Sequence, residues 1–233
     1  MKNIVSLQPF SVFVTENRDI EQIQIVNEKR DSSVLWRSLN ISEISVHTQL
    51  LIRVCTNIDI METKRLILRP WRESDAEMLF KYASDPDVGP RAGWPPHKSV
   101  EESLEIIRTV FSGEGMWAVE LKETSEVIGS IGYLATGSSN LDIEEDQCEI
   151  GYWIAKPYWN QGICTEALQA VIDYCFNVKG FSVLWSDYFP DNPASGRVME
   201  KCGFVDTGQE TLCPGLEIGG DKPVKVMRLD YAI

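Results

Sequence analysis

The chain has 233 residues, 43% of them hydrophobic, seven tryptophans and a formal charge of -13. That is enough apolar material for a sizeable core, as one large domain or one domain plus an extension. The acidic balance argues against a nucleic-acid partner, which needs clustered Lys and Arg, and no apolar run approaches the ~20 residues that cross a bilayer.

The six cysteines form no C-x-x-C pair, and two fall on expected helix faces, so they read as reduced residues in or near the core of a cytoplasmic protein. The opening M-K-N-I-V-S-L-Q-P-F is broken by Gln and Pro with no small-residue cleavage site after it, so no signal peptide is expected. Residues 1–60 contain no glycine and no repeat. They mix β-prone patches, Val12 to Val14 and Leu50 to Val54, with polar stretches. They carry no recognisable chemistry. The segment reads as an accessory region, a poorly ordered arm or residues added by an upstream start codon, because Met61 can itself serve as a start.

From Met61 the punctuation is clearer. Leu66, Ile67 and Leu68 between charged residues suit a strand, and Ser74-x-x-Glu77 and Ser99-x-x-Glu102 have the capping-box spacing of two helix starts. Between these lies a Pro- and Gly-rich loop, Pro86 to His97, which presents Arg91, Trp94 and His97 as candidates to line a substrate pocket. His97 has no second histidine at metal-ligand spacing, and no metal is expected. Met116 to Leu121 and Val127 to Leu134 form a hairpin around K-E-T-S-E, and the acidic stretch Asp142 to Asp146 reads as a solvated connection to a third strand, Cys148 to Ile154.

Next comes Y-W-N-Q-G-I-C-T-E-A-L, from Tyr158 to Leu168. Leu168, Val171, Ile172, Cys175 and Phe176 then make one apolar helix face that Gly180 can terminate. The unpaired amides at that helix start, at the positive end of its dipole, suit a phosphate or pyrophosphate. Phe181 to Tyr188 reads as a strand. Asn192 with Pro193 begins a helix that ends at Cys202-Gly203-Phe204, and Phe204 to Thr211 and Val224 to Leu229 flank the loop G-L-E-I-G-G-D-K-P as a last strand pair. The predicted order is β-α-α-β-β-β-α-β-α-β-β.

Three stretches in order, T-K-R-L-I-L-R-P-W-R-E-S-D-A-E, E-I-G-Y-W-I-A-K-P-Y-W-N-Q-G-I-C-T-E-A-L and D-N-P-A-S-G-R-V-M-E-K-C-G-F, resemble the GNAT acetyltransferases. Within them the chain is most similar to the ribosomal-protein alanine N-acetyltransferase-like branch, over Met61 to Ile233. The resemblance implies an α/β (α+β) fold with a central mixed, mostly antiparallel twisted sheet flanked by helices. It also implies acetyl-CoA as cosubstrate. The family's pyrophosphate loop runs Gln or Arg, two residues, Gly, one residue, then Gly or Ala; here Trp159, Gly162 and Cys164 take those places. Trp159, Asn160, Gln161, Gly162, Ile163, Cys164 and Thr165 are thus expected to hold the CoA pyrophosphate. Tyr152, Trp153 and Ile154 would flank the thioester and supply an oxyanion donor from a backbone N–H.

An amine attacks a thioester only when neutral, yet α-amino groups titrate near ~8 and lysine near ~10.4, so a base is wanted. Glu149 is the first candidate and Asp187 the second. By resemblance Asn192 contacts the pantetheine arm and Ser195 donates a hydrogen bond to the departing thiolate. Many relatives instead carry a tyrosine acid where this chain has Met199. The expected acceptor is a protein N-terminus or a small amine, met by a monomer or homodimer. A noncatalytic acyl-CoA sensor is the alternative. No G-x-G-x-x-G follows a first strand, which disfavours a dinucleotide-dependent oxidoreductase.

Overall fold

A computed structural model describes the backbone of residues 2–7, 10–15, 22–27 and 37–40, and all atoms of residues 60–213 and 220–231. The chain divides into two compact units, Met1–Asp59 and Ile60–Ile233. In the first, β1 (Lys2–Leu7), β2 (Phe10–Thr15), β3 (Gln22–Asn27) and β4 (Arg37–Asn40) form an antiparallel sheet in chain order. The patch Val12 to Val14 lies within β2, whereas Leu50 to Val54 lies outside the described residues.

The second unit contains an eight-stranded sheet in the order β11-β12-β10-β9-β8-β7-β6-β5. Its strands are β5 (Met61–Glu62), β6 (Leu66–Arg69), β7 (Met116–Leu121), β8 (Val127–Ala135), β9 (Gln147–Ile154), β10 (Val183–Tyr188), β11 (Val205–Cys213) and β12 (Lys222–Asp230). Every neighbouring pair is antiparallel except β9 with β10, so the sheet is mixed and mostly antiparallel, as the resemblance implies. Among the described residues four α-helices accompany it: α1 (Ala76–Ala83), α2 (Val100–Thr109), α3 (Ile163–Tyr174) and α4 (Pro193–Lys201). A parallel strand pair needs a crossover between its members, and α3 supplies it. β8 is buried from Val127 to Tyr133 and touches both α1 and α3, which places the core on its two faces.

The apolar stripe predicted for α3 is the one that packs: Leu168, Val171 and Cys175 are wholly buried. The helix does not stop at Tyr174 but widens into a π turn, Cys175–Lys179, which Gly180 ends in the left-handed conformation. The second predicted cap is observed, since Ser99 Oγ accepts the Glu102 N–H at 3.2 Å. The first is corrected. Ser74 is exposed and makes no cap; a short 3-10 turn at Glu73–Asp75 opens the helix, closed by the Arg72 N–H donating to Asp75 Oδ2 at 2.8 Å. Asp75 takes that place because it is also the partner of buried Arg69 on β6, which donates Nη1 and Nη2 to its two carboxylate oxygens at 2.8 and 2.9 Å.

Candidate active site

The site begins where the sheet splits. β9 and β10 pair through only three positions, Val183 with Gln147, Leu184 with Cys148 and Trp185 with Glu149. Just beyond, Ser186 Oγ donates to the Ile150 carbonyl at 2.7 Å and takes the place of a ladder bond. β9 stays on β8 as far as Ile154 while β10 follows β12, and the gap widens into a cleft of about 410 Å³.

Local chain geometry says which backbone groups face that gap. The Ala155 N–H donates to the Ile128 carbonyl at 2.8 Å, and bonded pairs alternate along an antiparallel ladder. Tyr152 and Ile154 therefore turn their amides away from β8 and toward the opening. The Ile154 carbonyl already accepts Trp159 Nε1 at 2.6 Å. Side chains alternate as well, so Glu149, Gly151 and Trp153 share one face of β9, and Tyr152 points to the other.

The turn that follows is braced from several directions. Tyr158 donates its hydroxyl to Glu126 Oε2 at 2.7 Å, Gln161 Nε2 donates to the Pro157 carbonyl at 2.8 Å, and Asn160 and Gly162 both have positive φ. Arg65 donates Nη1 to the Gln161 carbonyl at 2.9 Å and Nε to Glu166 Oε2 at 2.6 Å, while Thr63 Oγ1 donates to Glu166 Oε1 at 2.6 Å. These contacts tie β5 and β6 to the first turn of α3. Sequence reading missed Arg65 and Glu166; the acidic residue in the first turn of a helix was the available signal. The first helical bond is from the Glu166 N–H to the Gly162 carbonyl, so the α3 ladder leaves the amides of Ile163, Cys164 and Thr165 unused. Gly162, Ile163, Cys164 and Thr165 line the cleft, together with Trp159 and Asn160. Trp159 and Gln161, which the family pattern associates with the phosphate, use their side-chain N–H groups to brace the loop.

Gly162 sits at φ 74°, and a Cβ there would meet only Arg65 Nη2, 3.7 Å away. Substitution is therefore opposed by backbone conformation rather than by crowding. With ~1–2 kcal/mol for a non-glycine residue in that region, Gly162→Ala is expected to weaken CoA binding about tenfold in a calorimetric titration. Unchanged affinity would show that the loop conformation does not hold the ligand.

The cleft is polarised. Arg91, Arg197 and Lys201 line it, as do Glu149 and Asp187. Arg91 lies over the Trp159 ring at 5.6 Å, and its carbonyl accepts Asn192 Nδ2 at 3.2 Å. It thus stands beside the turn at 159–165 and lines the cleft. Asn192 begins α4 without capping it through its side chain. Trp94 and His97 are behind the wall: Trp94 packs edge-on against Trp153 at 5.8 Å, and His97 Nδ1 is 2.8 Å from Ser103 Oγ, its pKa lowered by burial. Neither lines the cleft. The Pro/Gly loop turns its two aromatic side chains onto the domain and leaves Arg91 in the opening.

Glu149 is 8% exposed and accepts Ser139 Oγ at 2.6 Å, from the part of the β8–β9 connection that precedes the acidic stretch, whose Asp142, Glu144, Glu145 and Asp146 are exposed. Asp187 lies two residues beyond Trp185, the partner of Glu149, and therefore on the same face. Burial, with the nearby Glu149 charge, pushes the Asp187 carboxyl up to about 7. On the opposite face Ser195 Oγ donates to the Tyr152 hydroxyl at 3.0 Å. Met199 is buried and offers no donor. The arrangement brings together a set of free amides with three cations, and opposes them with two carboxylates, one of which titrates near neutrality.

Residues 65–205 match the family model described as an acetyltransferase (GNAT) domain. The chain is 34% identical over 154 residues to the uncharacterised N-acetyltransferase YoaA of Bacillus subtilis, an alignment that covers 64% of this chain and 84% of that protein. Among solved structures, a GNAT-family acetyltransferase from Bacillus anthracis superposes with a TM-score of 0.64 at 23% identity, over 74% of this chain and 98% of the other. The ribosomal-protein-S5-alanine acetyltransferase from Vibrio fischeri gives a TM-score of 0.57 at 21% identity, over 74% and 96%. At those identities the likeness to the two structures is one of fold.

Proposed function

The chain belongs to the GNAT acetyltransferases, and from that premise we propose that it transfers acetyl from acetyl-CoA to a primary amine, on a protein N-terminus or a small molecule, by direct attack in a ternary complex. The observation that carries this reading is the polarity of the cleft. In a protein of net charge -13, the cleft has three cations and the open amides of α3 among its lining, which suits a polyanionic cosubstrate. Glu149 and Asp187, on the adjoining strand face, suit a cationic amine that must lose a proton.

Each residue then has a task. The turn at 159–165 and the cations hold the phosphates. The amides of Tyr152 and Ile154, turned to the opening, are the donors for negative charge on the thioester oxygen. Asp187, with a pKa of about 7, is poised to accept the amine proton, and Glu149 supplies the charge that draws the ammonium in. Ser195 stabilises the departing thiolate. Of the three substrate residues expected from sequence, Arg91 is reassigned to the cosubstrate, while Trp94 and His97 support the wall through Trp153. The likeness to the ribosomal-protein-S5-alanine acetyltransferase from Vibrio fischeri supports including ribosomal N-termini among the acceptors. The five described cysteines are free thiols, in keeping with a cytoplasmic setting.

A panel assay that follows CoA release tests the reading, with ribosomal N-terminal peptides, polyamines, amino acids and aminoglycosides side by side. Turnover dependent on one acceptor class is expected. Tight CoA binding with no turnover on the whole panel would replace the enzyme by an acyl-CoA sensor.

A further inference from the structure

Ser195 is held by another side chain in the cleft wall. A serine in the first turn of a helix ordinarily bonds back to nearby backbone or turns to solvent. Here its Oγ donates to the Tyr152 hydroxyl at 3.0 Å, and that hydroxyl donates in turn to the Ser195 carbonyl at 3.0 Å. The phenol is therefore saturated as a donor by Ser195's own backbone and meets the serine side chain only as an acceptor. Tyr152 comes from β9, 43 residues away, and both residues line the cleft. Burial keeps the phenol well above its ordinary pKa, so it remains protonated throughout the working range. With Met199 unable to donate, Ser195 is the hydroxyl that α4 presents to the cleft.

Building on the acetyl-transfer reading above, we propose that Tyr152 is a positioning residue whose hydroxyl fixes the rotamer of Ser195, so that the Ser195 hydroxyl meets the CoA sulfur as the C–S bond breaks. In that step the amine nitrogen forms a bond to the acyl carbon, the C–S electron pair goes to sulfur, and the amine proton goes to the carboxylate pair. Ser195 exchanges its bond to the phenol oxygen for a charge-assisted bond to the thiolate, which then takes its proton from water. Tyr152 loses no proton. The exchange replaces a neutral hydrogen bond by a stronger one that exists only when charge has reached the sulfur, and such an interaction raises kcat rather than lowering KM.

Tyr152→Phe, Ser195→Ala and the double variant form the test. Each single change is expected to lower kcat about tenfold with CoA affinity held within about twofold, and the double variant should be no worse than Ser195→Ala alone. Independent losses that multiply toward a hundredfold, or a Tyr152→Phe enzyme with wild-type kcat, would overturn the inference while leaving acetyl transfer intact. A wild type that binds acetyl-CoA yet acetylates no amine overturns both. Should Tyr152→Phe fail to fold, 3-fluorotyrosine at position 152 keeps the hydroxyl but weakens it as an acceptor. A kcat unmoved by that replacement would likewise sink the proposal.

Discussion

Asp187→Asn is expected to lower kcat by about 10²- to 10⁴-fold, the usual worth of a positioned acid–base group, while CoA binding stays unchanged. The pH profile separates the two carboxylates. In the wild type kcat/KM should rise with pH through about 7, as Asp187, pushed up first by burial and then by the Glu149 charge, loses its proton and becomes a base. Asp187→Asn should abolish that limb along with most of the activity. Removing the Glu149 charge takes away the second of the two causes and leaves the first, so the residual activity of Glu149→Gln should show its limb shifted toward lower pH but still present. A limb near 7 that survives Asp187→Asn would remove Asp187 from the mechanism. Full activity in Glu149→Gln would remove Glu149.

The second large effect concerns stability and lies away from the cleft. Asp75→Ala should destabilise the unit from Ile60 onward by about 3–5 kcal/mol, because it strips a buried guanidinium of its bidentate partner. Arg69 is 5% exposed and Asp75 8%. Arg69 also donates Nε to Glu120 Oε2 at 2.6 Å and Nη1 to the Pro70 carbonyl at 3.1 Å, so one carboxylate would remain. Loss of the Arg72 N–H acceptor would loosen the start of α1 in addition. Urea unfolding measures the change, and a loss below about 1 kcal/mol would show that the Glu120 contact alone satisfies the arginine. Asp75→Asn, which keeps the shape and loses the charge, should fall between the two.

Much of the architecture is legible in the chain because it depends on short-range pattern. The hairpin at Met116 to Leu134, the apolar stripe of α3, the Ser99 cap and the positive-φ glycines that end helices all follow from neighbours a few residues apart. The Ser74 cap failed because Asp75, one residue on, is claimed by buried Arg69 of β6, six positions earlier, and the helix start moves to suit that pair. The turn around Gly162 was visible as a strand, a glycine and an amphipathic helix. Its bracing by Arg65 and Thr63 was not, since those residues lie about a hundred positions earlier.

By itself the sequence determined the order of the elements from Leu66 onward, the family and the turn around Gly162, because these rest on local periodicity, backbone preference and motif spacing; the two-residue strand β5 was too short to carry such a pattern. Only the tertiary structure decided what the side chains around that turn do. The point at which β9 parts from β10 turns the Tyr152 and Ile154 amides into the opening and sets Glu149 beside Asp187. The packing of the 86–97 loop puts Arg91 beside the turn around Gly162 and withdraws Trp94 and His97. The packing of α4 beside β10 and α3 brings Ser195 to Tyr152. Each of these is a meeting of residues far apart in the chain, fixed by sheet register and burial.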